Sequence, residues 1–256
     1  MSFKLTILGS GSSAGTPVVG CNCPTCKSIN PKNNRTRCSS LITLDNGENI
    51  LIDCSPDLRG QSLRESISNI DAVLFTHTHA DHCHGIDDLR AFCQINKKQI
   101  PIYGNKETIE QLRNKFSYAM TEQNGFWEKP VLYPNVVSDP FQLLDVLVTP
   151  IPVFHGKIII NGYRIGNLAY ITDVSDIPSS SLALLSDLDI LLLDCLRQEP
   201  HYTHFGFEQS IEIAKKIRAK NTYLIHMTHN FDYDELKNKL PKSIYPGYDG
   251  LKLSIT

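Results

Sequence analysis

The sequence predicts a layered α/β fold, with β-sheets inside and helices outside. Short apolar runs typical of strands recur along the chain, and segments with a helical spacing of apolar residues separate them. At 256 residues, the chain is long enough to bury a sizeable core without disulfides. Because no repeat, low-complexity tract or linker interrupts it, we predict a single domain spanning residues 1–256.

The apolar runs predict strands in order along the chain. These strands cover residues 3–8, 40–44, 50–52, 72–76, 146–150, 158–163, 169–172, 190–193 and 222–225. Helical spacing predicts three helices, at about 86–97, about 106–118 and 207–220. Asn221 is the predicted stop of the third helix.

Charge and hydropathy argue against several classes of partner. There are 25 Lys+Arg and 27 Asp+Glu, a net charge of −2, which provides no general attraction to nucleic acid or to an anionic membrane. The longest apolar run, 188–196, contains two aspartates and is far shorter than the ~20 residues that span a bilayer. The apolar segment at the N-terminus is too short for a signal peptide. We therefore expect a cytoplasmic protein with no membrane partner.

A histidine-rich segment, HTHADHCHG at residues 77–85, directly follows a predicted strand. In extended backbone, residues two apart point to the same side, so His77 and His79 can bind one ion together. Asp81 and His82 lie beyond the strand end and can face a second ion. Imidazole and carboxylate ligands suit zinc, manganese or iron.

Further ligands are predicted at the ends of later strands. His155, Asp173 and His226 each follow an apolar run, and each one alone is better explained as a polar loop residue than as a ligand. Together with the cluster they complete two sites, in which His155 joins the first ion, His226 joins the second and Asp173 bridges them.

The cluster and the later His, Asp and His resemble the metallo-β-lactamase superfamily. The resemblance implies a four-layer αββα sandwich with metals at one edge. Three more segments narrow the resemblance to one family within the superfamily. The first is GSGSSAGTP, which leads into CNCPTC; the second is PHYTHF; the third is HMTH, followed late in the chain by YDG. This set resembles the phosphoribosyl cyclic-phosphate phosphodiesterases of the carbon–phosphorus lyase pathway and their relatives.

The crowded cysteines predict a second metal site. Cys21, Cys23 and Cys26 supply three soft thiolates, whereas structural zinc prefers four tetrahedral ligands. The resemblance implies that His229 is the fourth ligand of a structural zinc. If the strand before His226 continues, the odd offset would point His229 to the opposite face. A redox-sensitive thiol cluster without metal is the open alternative.

His204 lies just before the third predicted helix, where an imidazolium can anchor a phosphate or protonate a leaving oxygen. The resemblance implies that His204 protonates the leaving oxygen. Tyr202 stands where relatives usually have proline, and His201 and His84 are predicted to lie outside the metal ligands.

The roles of several other residues stay open. Asp53 and Asp194 end apolar strands, where a carboxylate either orients a ligand histidine or stabilises a turn. Arg35 and Arg37 are predicted in a solvated loop rather than at a phosphate. The sequence assigns no role to Asp249 or to Trp127.

The predicted function is hydrolysis of a small phosphodiester, by resemblance a cyclic ribosyl phosphate. Two divalent ions, zinc or manganese, would hold the attacking hydroxide, with His204 as general acid. Asp81 and Asp173 are the catalytic carboxylates in this scheme. The alternatives are a tRNA 3′-processing ribonuclease, a thioester hydrolase, and a non-catalytic zinc-binding or redox-sensing protein. A homodimer is an expectation that rests on the resemblance alone.

Overall fold

The computed structural model describes residues 2–120 and 131–255. Within them lie fourteen strands and eight α-helices, numbered here in chain order. The strands are β1 (Phe3–Gly9), β2 (Ser39–Leu44), β3 (Asn49–Ile52), β4 (Ala72–Leu74), β5 (Ile100–Gly104), β6 (Leu132–Val136), β7 (Phe141–Leu143), β8 (Val146–His155), β9 (Ile158–Ile165), β10 (Leu168–Ile171), β11 (Ile190–Asp194), β12 (Asn221–Ile225), β13 (Ile244–Pro246) and β14 (Lys252–Ile255). The helices are α1 (Leu58–Glu65), α2 (Ala80–Cys83), α3 (Ile86–Asn96), α4 (Lys106–Lys115), α5 (Ser117–Met120), α6 (Ser179–Ala183), α7 (Phe207–Ile217) and α8 (Tyr233–Lys239).

The strands form two seven-stranded mixed sheets. One has the order β14-β1-β2-β3-β4-β5-β6 and the other β13-β12-β11-β10-β9-β8-β7. Strands β3 to β6 run parallel in the first sheet, and β10 to β13 run parallel in the second. No helix in the described part of the chain has the length and apolarity needed to cross a bilayer.

Alternating side chains assign the two faces of each sheet to different cores. In β11, Ile190 and Leu192 join the cluster between the sheets, whereas Leu191 and Leu193 face a second cluster that includes residues of α7 and α8. A third cluster packs α1, α3 and α4 against the outer face of the first sheet. The layers are therefore helix, sheet, sheet, helix, which confirms the predicted αββα sandwich.

Several elements differ from the sequence prediction. Helix α7 ends at Ile217 rather than at residue 220, because Arg218 adopts a left-handed conformation (φ 58°) and Asn221 already begins β12. Strand β8 extends through Pro150 and Pro152 to His155, beyond the predicted end. It tolerates both prolines because β7 pairs only with its first three residues, so β8 lies at the sheet edge around Pro150 and Pro152.

Parallel strands from both sheets end at the same edge of the sandwich. The chain leaves β3 at Asp53, β10 shortly before Asp173 and β12 at His226. All three residues have positive φ, 58°, 54° and 58°, an unusual backbone for a residue other than glycine. Such strained positions cluster where the fold holds functional side chains, so this edge is the candidate site.

Candidate metal centre

The first group of donor atoms combines residues from β4, β8 and β10. His77 and His79 follow β4, His155 ends β8, and Asp173 follows β10. Their ligand atoms all lie within 4.8 Å of one another. His155 Nδ1 donates to the carbonyl of Thr203 at 2.8 Å, which leaves Nε2 facing His79 Nδ1 at 3.3 Å. The predicted first ion site is thus assembled around one point.

The second group combines Asp81, His82 and His226, again within 4.8 Å. Asp81 Oδ2 lies 3.3 Å from His82 Nε2 and 3.3 Å from His226 Nε2. Asp173 lies between the two groups. Its Oδ1 is 3.2 Å from His82 Nε2 and its Oδ2 is 3.8 Å from His77 Nε2, so its two oxygens face different groups.

The donor set fits two divalent ions. Two nitrogen or oxygen ligands of a tetrahedral zinc, each about 2.0–2.1 Å from the ion, lie about 3.3–3.4 Å apart, close to the spacings found here. The Nε2 atoms of His77 and His82 are buried and have no hydrogen-bond partner among the described residues. Burial lowers the pKa of His77 well below its usual value and keeps the ring neutral, as a metal ligand requires.

Asp53 fixes the orientation of the His82 ring by binding its Nδ1, the nitrogen that faces away from the donor group. Its Oδ2 accepts from His82 Nδ1 at 2.7 Å and from the Thr76 hydroxyl at 2.8 Å, and its Oδ1 accepts from the Thr76 amide. Burial lowers the pKa of His82, but Asp173, Asp81 and Asp53 outweigh it and raise that pKa well above its usual value. A bound cation would replace this proton, because the same three carboxylates surround the ring.

Asp194 plays the corresponding part for two other histidines. Its Oδ2 accepts from His204 Nδ1 at 3.1 Å, and its Oδ1 lies 3.5 Å from His226 Nδ1. His204 Nε2 then lies 3.8 Å from Asp173 Oδ2. Burial lowers the pKa of His204, but the charge of Asp194 prevails and raises it to about 9. With this pKa both ring nitrogens of His204 are protonated at neutral pH, and the Nε2 proton faces the donor cluster.

The glycine-serine loop after β1 holds the backbone next to His226. Met227 donates to the carbonyl of Ser10 at 3.0 Å, and its own carbonyl accepts from Ser12 at 3.1 Å. Asp249 in turn accepts from the amide and the hydroxyl of Ser10. A Cβ on Gly9 would lie 1.9 Å from the carbonyl oxygen of Arg37, so close approach explains that glycine.

The three early cysteines converge on His229. Its Nδ1 lies 3.3 Å from Cys21 Sγ and 3.4 Å from the sulfurs of Cys23 and Cys26. Around a tetrahedral zinc, a sulfur and a nitrogen ligand are about 3.5 Å apart, so the group matches a structural zinc site. The separation of His229 from His226 has another cause than predicted: β12 ends at Ile225, and a turn rather than strand alternation separates the two rings.

The solvated-loop prediction was wrong for Arg35, whose exposed fraction is 1%. Its guanidinium donates to the carbonyls of Phe231 and Thr228 and fixes the loop that carries His229. Arg37 instead pairs with Asp57 at 2.8 Å. His84 is exposed and packs edge-to-face on Phe116.

His201 lies apart from the donor groups. The ring of His201 lies 5.5 Å from that of His204, and its Nδ1 contacts the Thr203 hydroxyl. Trp127 lies outside the described residues.

Removing one thiol should destabilise the protein. We expect Cys21→Ser to release one zinc per chain and, for a loss of about 3 kcal/mol, to lower Tm by about 6–12 °C, because structural zinc contributes to folding. Elemental analysis and thermal unfolding measure both effects. Asn22→Ser, in the same loop but exposed, is the control and should keep the zinc and the Tm. A Cys21→Ser protein that keeps its zinc would contradict the assignment.

Known proteins resemble this chain in sequence and in fold. A family model described as a β-lactamase superfamily domain matches residues 48–227. An octanoyltransferase of Porphyromonas gingivalis is 38% identical over 99% of this chain, and the chain spans about half (52%) of that protein's length. The crystal structure of zinc-bound PqqB from Methylobacterium extorquens has a TM-score of 0.79 at 19% identity, over 98% of this chain and 99% of that one, and shows a shared fold.

A second solved structure is also similar over the full length and has a much higher sequence identity. It is described as a new diphosphatase from the PhnP family, and it superposes with a TM-score of 0.93 at 40% identity over 100% of this chain and 98% of that chain. Sequence identity at this level, over 100% of this chain and 98% of the other, extends the likeness from the fold to the family. The chain therefore belongs to the metallo-β-lactamase superfamily and, within it, to the PhnP family.

Proposed function

We propose that this protein is a dinuclear metal-dependent hydrolase that cleaves a P–O bond in a small phosphodiester or diphosphate. The position of Asp173 carries the proposal, because its two oxygens face two separate groups of histidines. Bound divalent ions would supply Lewis acidity and lower the pKa of a water molecule between them. His77, His79 and His155 would hold one ion, Asp81, His82 and His226 the other, and Asp173 both.

His204 is the proposed general acid. Its Nδ1 donates to Asp194, so the proton on Nε2 faces the donor cluster and can pass to a leaving oxygen. The raised pKa of His204, about 9, keeps that proton available at neutral pH. Phosphoryl transfer otherwise needs positioning and charge neutralisation, which divalent ions held by the converging histidines and carboxylates would supply.

The substrate class rests on the similar proteins and on the chain's charge. The PhnP-family structure at 40% identity is described as a diphosphatase, which favours a small phosphate substrate. A net charge of −2 disfavours RNA, the substrate of the ribonuclease alternative. The chain spans about half of the octanoyltransferase, so acyl transfer by that longer protein forms no part of the activity proposed for this chain.

Metal removal and a substrate panel test the proposal. We expect up to three ions per chain, two at the centre and one at the cysteines, and complete loss of hydrolysis after chelation. Zinc or manganese should restore it. The panel contains bis-p-nitrophenyl phosphate, cyclic nucleotides, a nucleotide diphosphate and a thioester. Activity on the thioester alone would favour the thioester hydrolase. No activity after reloading would favour the non-catalytic zinc-binding protein.

A further inference from the structure

We propose that a small cavity beside His77 and His79 binds the uncharged, hydroxyl-bearing sugar of the substrate, and that Glu107 selects for two adjacent hydroxyls there. The inference rests on the proposed function, because it places the phosphate at the metal centre and the sugar next to it. Glu107 would determine specificity without being a metal ligand or the general acid.

The cavity shares a wall with the metal centre. Its volume is about 160 Å³, and His77 and His79 form one side of it. Pockets that take a whole ligand usually measure about 300–1,000 Å³, so this one suits a fragment such as a single sugar ring. Ile158 and Ile159 line another side and are 40% and 53% exposed, which offers an apolar surface to the carbon face of a sugar.

A chain of hydrogen bonds fixes the polar side of the cavity. The Thr78 hydroxyl donates to Gln111 Oε1, and Gln111 Nε2 donates to Glu107 Oε1 at 3.0 Å. These two hydrogen bonds, one at each end of the amide, fix the orientation of Gln111. Glu107 Oε2 has no hydrogen-bond partner within the described ranges and can accept from a ligand. A carboxylate that accepts from ribose hydroxyls is a recurrent means of recognising that sugar.

Asn105 adds a donor beside the carboxylate. Its Oδ1 accepts from the Thr108 amide at 2.8 Å and its Nδ2 donates to the Ile159 carbonyl at 3.2 Å, which leaves a second amide hydrogen for a ligand. Hydroxyl groups both donate and accept, so they match this pairing of a carboxylate with an amide.

The charge of the cavity decides between a sugar and a second phosphate. Its described lining residues include no lysine or arginine, and Glu107 is its carboxylate. The charge of Glu107 would repel a second phosphate, whereas a neutral diol can use both the acceptor and the donor of this wall. Glu107 also lies in the first turn of α4, where a carboxylate interacts favourably with the helix dipole. That structural role would not distinguish a ligand with hydroxyls from one without.

Binding of two nucleotides to the metal-loaded protein tests the inference without any turnover. Uridine 5′-monophosphate and its 2′,3′-dideoxy analogue share phosphate and base and differ only in the two hydroxyls. By titration calorimetry we expect the ribonucleotide to bind about tenfold or more tightly, since hydrogen bonds to a charged group are the stronger kind. Glu107→Ala should remove this preference. Glu110→Ala, which changes an exposed carboxylate on the same helix, should retain it.

Equal affinity of the wild type for the two nucleotides, no affinity for either, or a preference that survives Glu107→Ala would each overturn the inference. Its failure is separable from that of the proposed function. Hydrolysis of bis-p-nitrophenyl phosphate without a ribose preference leaves the hydrolase and removes the sugar site. A preference that depends on Glu107, in a protein that hydrolyses nothing, keeps the sugar site and removes the hydrolase.

Discussion

Asp173→Asn is expected to lower the metal content of the histidine centre from two ions to at most one and to reduce phosphodiester hydrolysis by about a thousandfold or more. The carboxylate is buried, and its two oxygens face the two ligand groups. An amide of the same size offers one oxygen without charge. Loss of Lewis-acid stabilisation by one ion is worth several kcal/mol, and each 1.36 kcal/mol is tenfold in rate.

The fold should survive this change, because the substitution keeps the side-chain volume and the cysteine group lies elsewhere. Elemental analysis, steady-state rates and thermal unfolding on one preparation separate loss of metal from loss of structure. Asp176→Asn is the matched control, since Asp176 is exposed and three residues away in the same loop. An Asp173→Asn protein with two ions at the centre and undiminished activity would remove the bridging role.

The proximity of the candidate donors can be predicted from the sequence, because hydrophobic period and position at a strand end are local properties. His77 and His79 are two residues apart after an apolar strand, and His155, Asp173 and His226 end such strands, so the common edge of an α/β fold brings them together. The αββα layers follow from the same alternation of apolar residues. The convergence of Cys21, Cys23 and Cys26 on His229 matches what the family resemblance implies.

What the sequence leaves open depends on long-range contacts. Asp53 and Asp194 read equally well as turn residues, and only the approach of His82 and His204 from distant segments shows what they orient. The sequence predicts a solvated loop for Arg35, because nothing nearby in the sequence shows that residues 228–231 fold over it. Glu107 appears as an ordinary first-turn acid of a helix until the cavity beside the histidines is seen.

The role of His204 can be separated from metal binding by the choice of leaving group. A ring nitrogen of His204 also lies within 4.8 Å of ligand atoms of Asp173 and His226, so an ion in place of a proton at His204 is the alternative. We propose His204→Asn, because asparagine Nδ2 can keep the hydrogen bond to Asp194 while Nε2 is lost. As a general acid, His204 matters only when the leaving oxygen needs a proton, and general acids contribute about 10²–10⁴-fold.

The expected result is therefore a loss of about 10²–10⁴-fold on an alkyl phosphodiester, against less than about tenfold on bis-p-nitrophenyl phosphate, whose leaving group departs as an anion. Metal content should stay unchanged. If His204 were a ligand, both substrates would lose activity together and the protein would lose an ion. His201→Asn, which alters the neighbouring ring that contacts Thr203, should leave both rates near the wild type. The ratio of the two losses decides the assignment, because a fall in the amount of folded or metal-loaded enzyme lowers both rates equally.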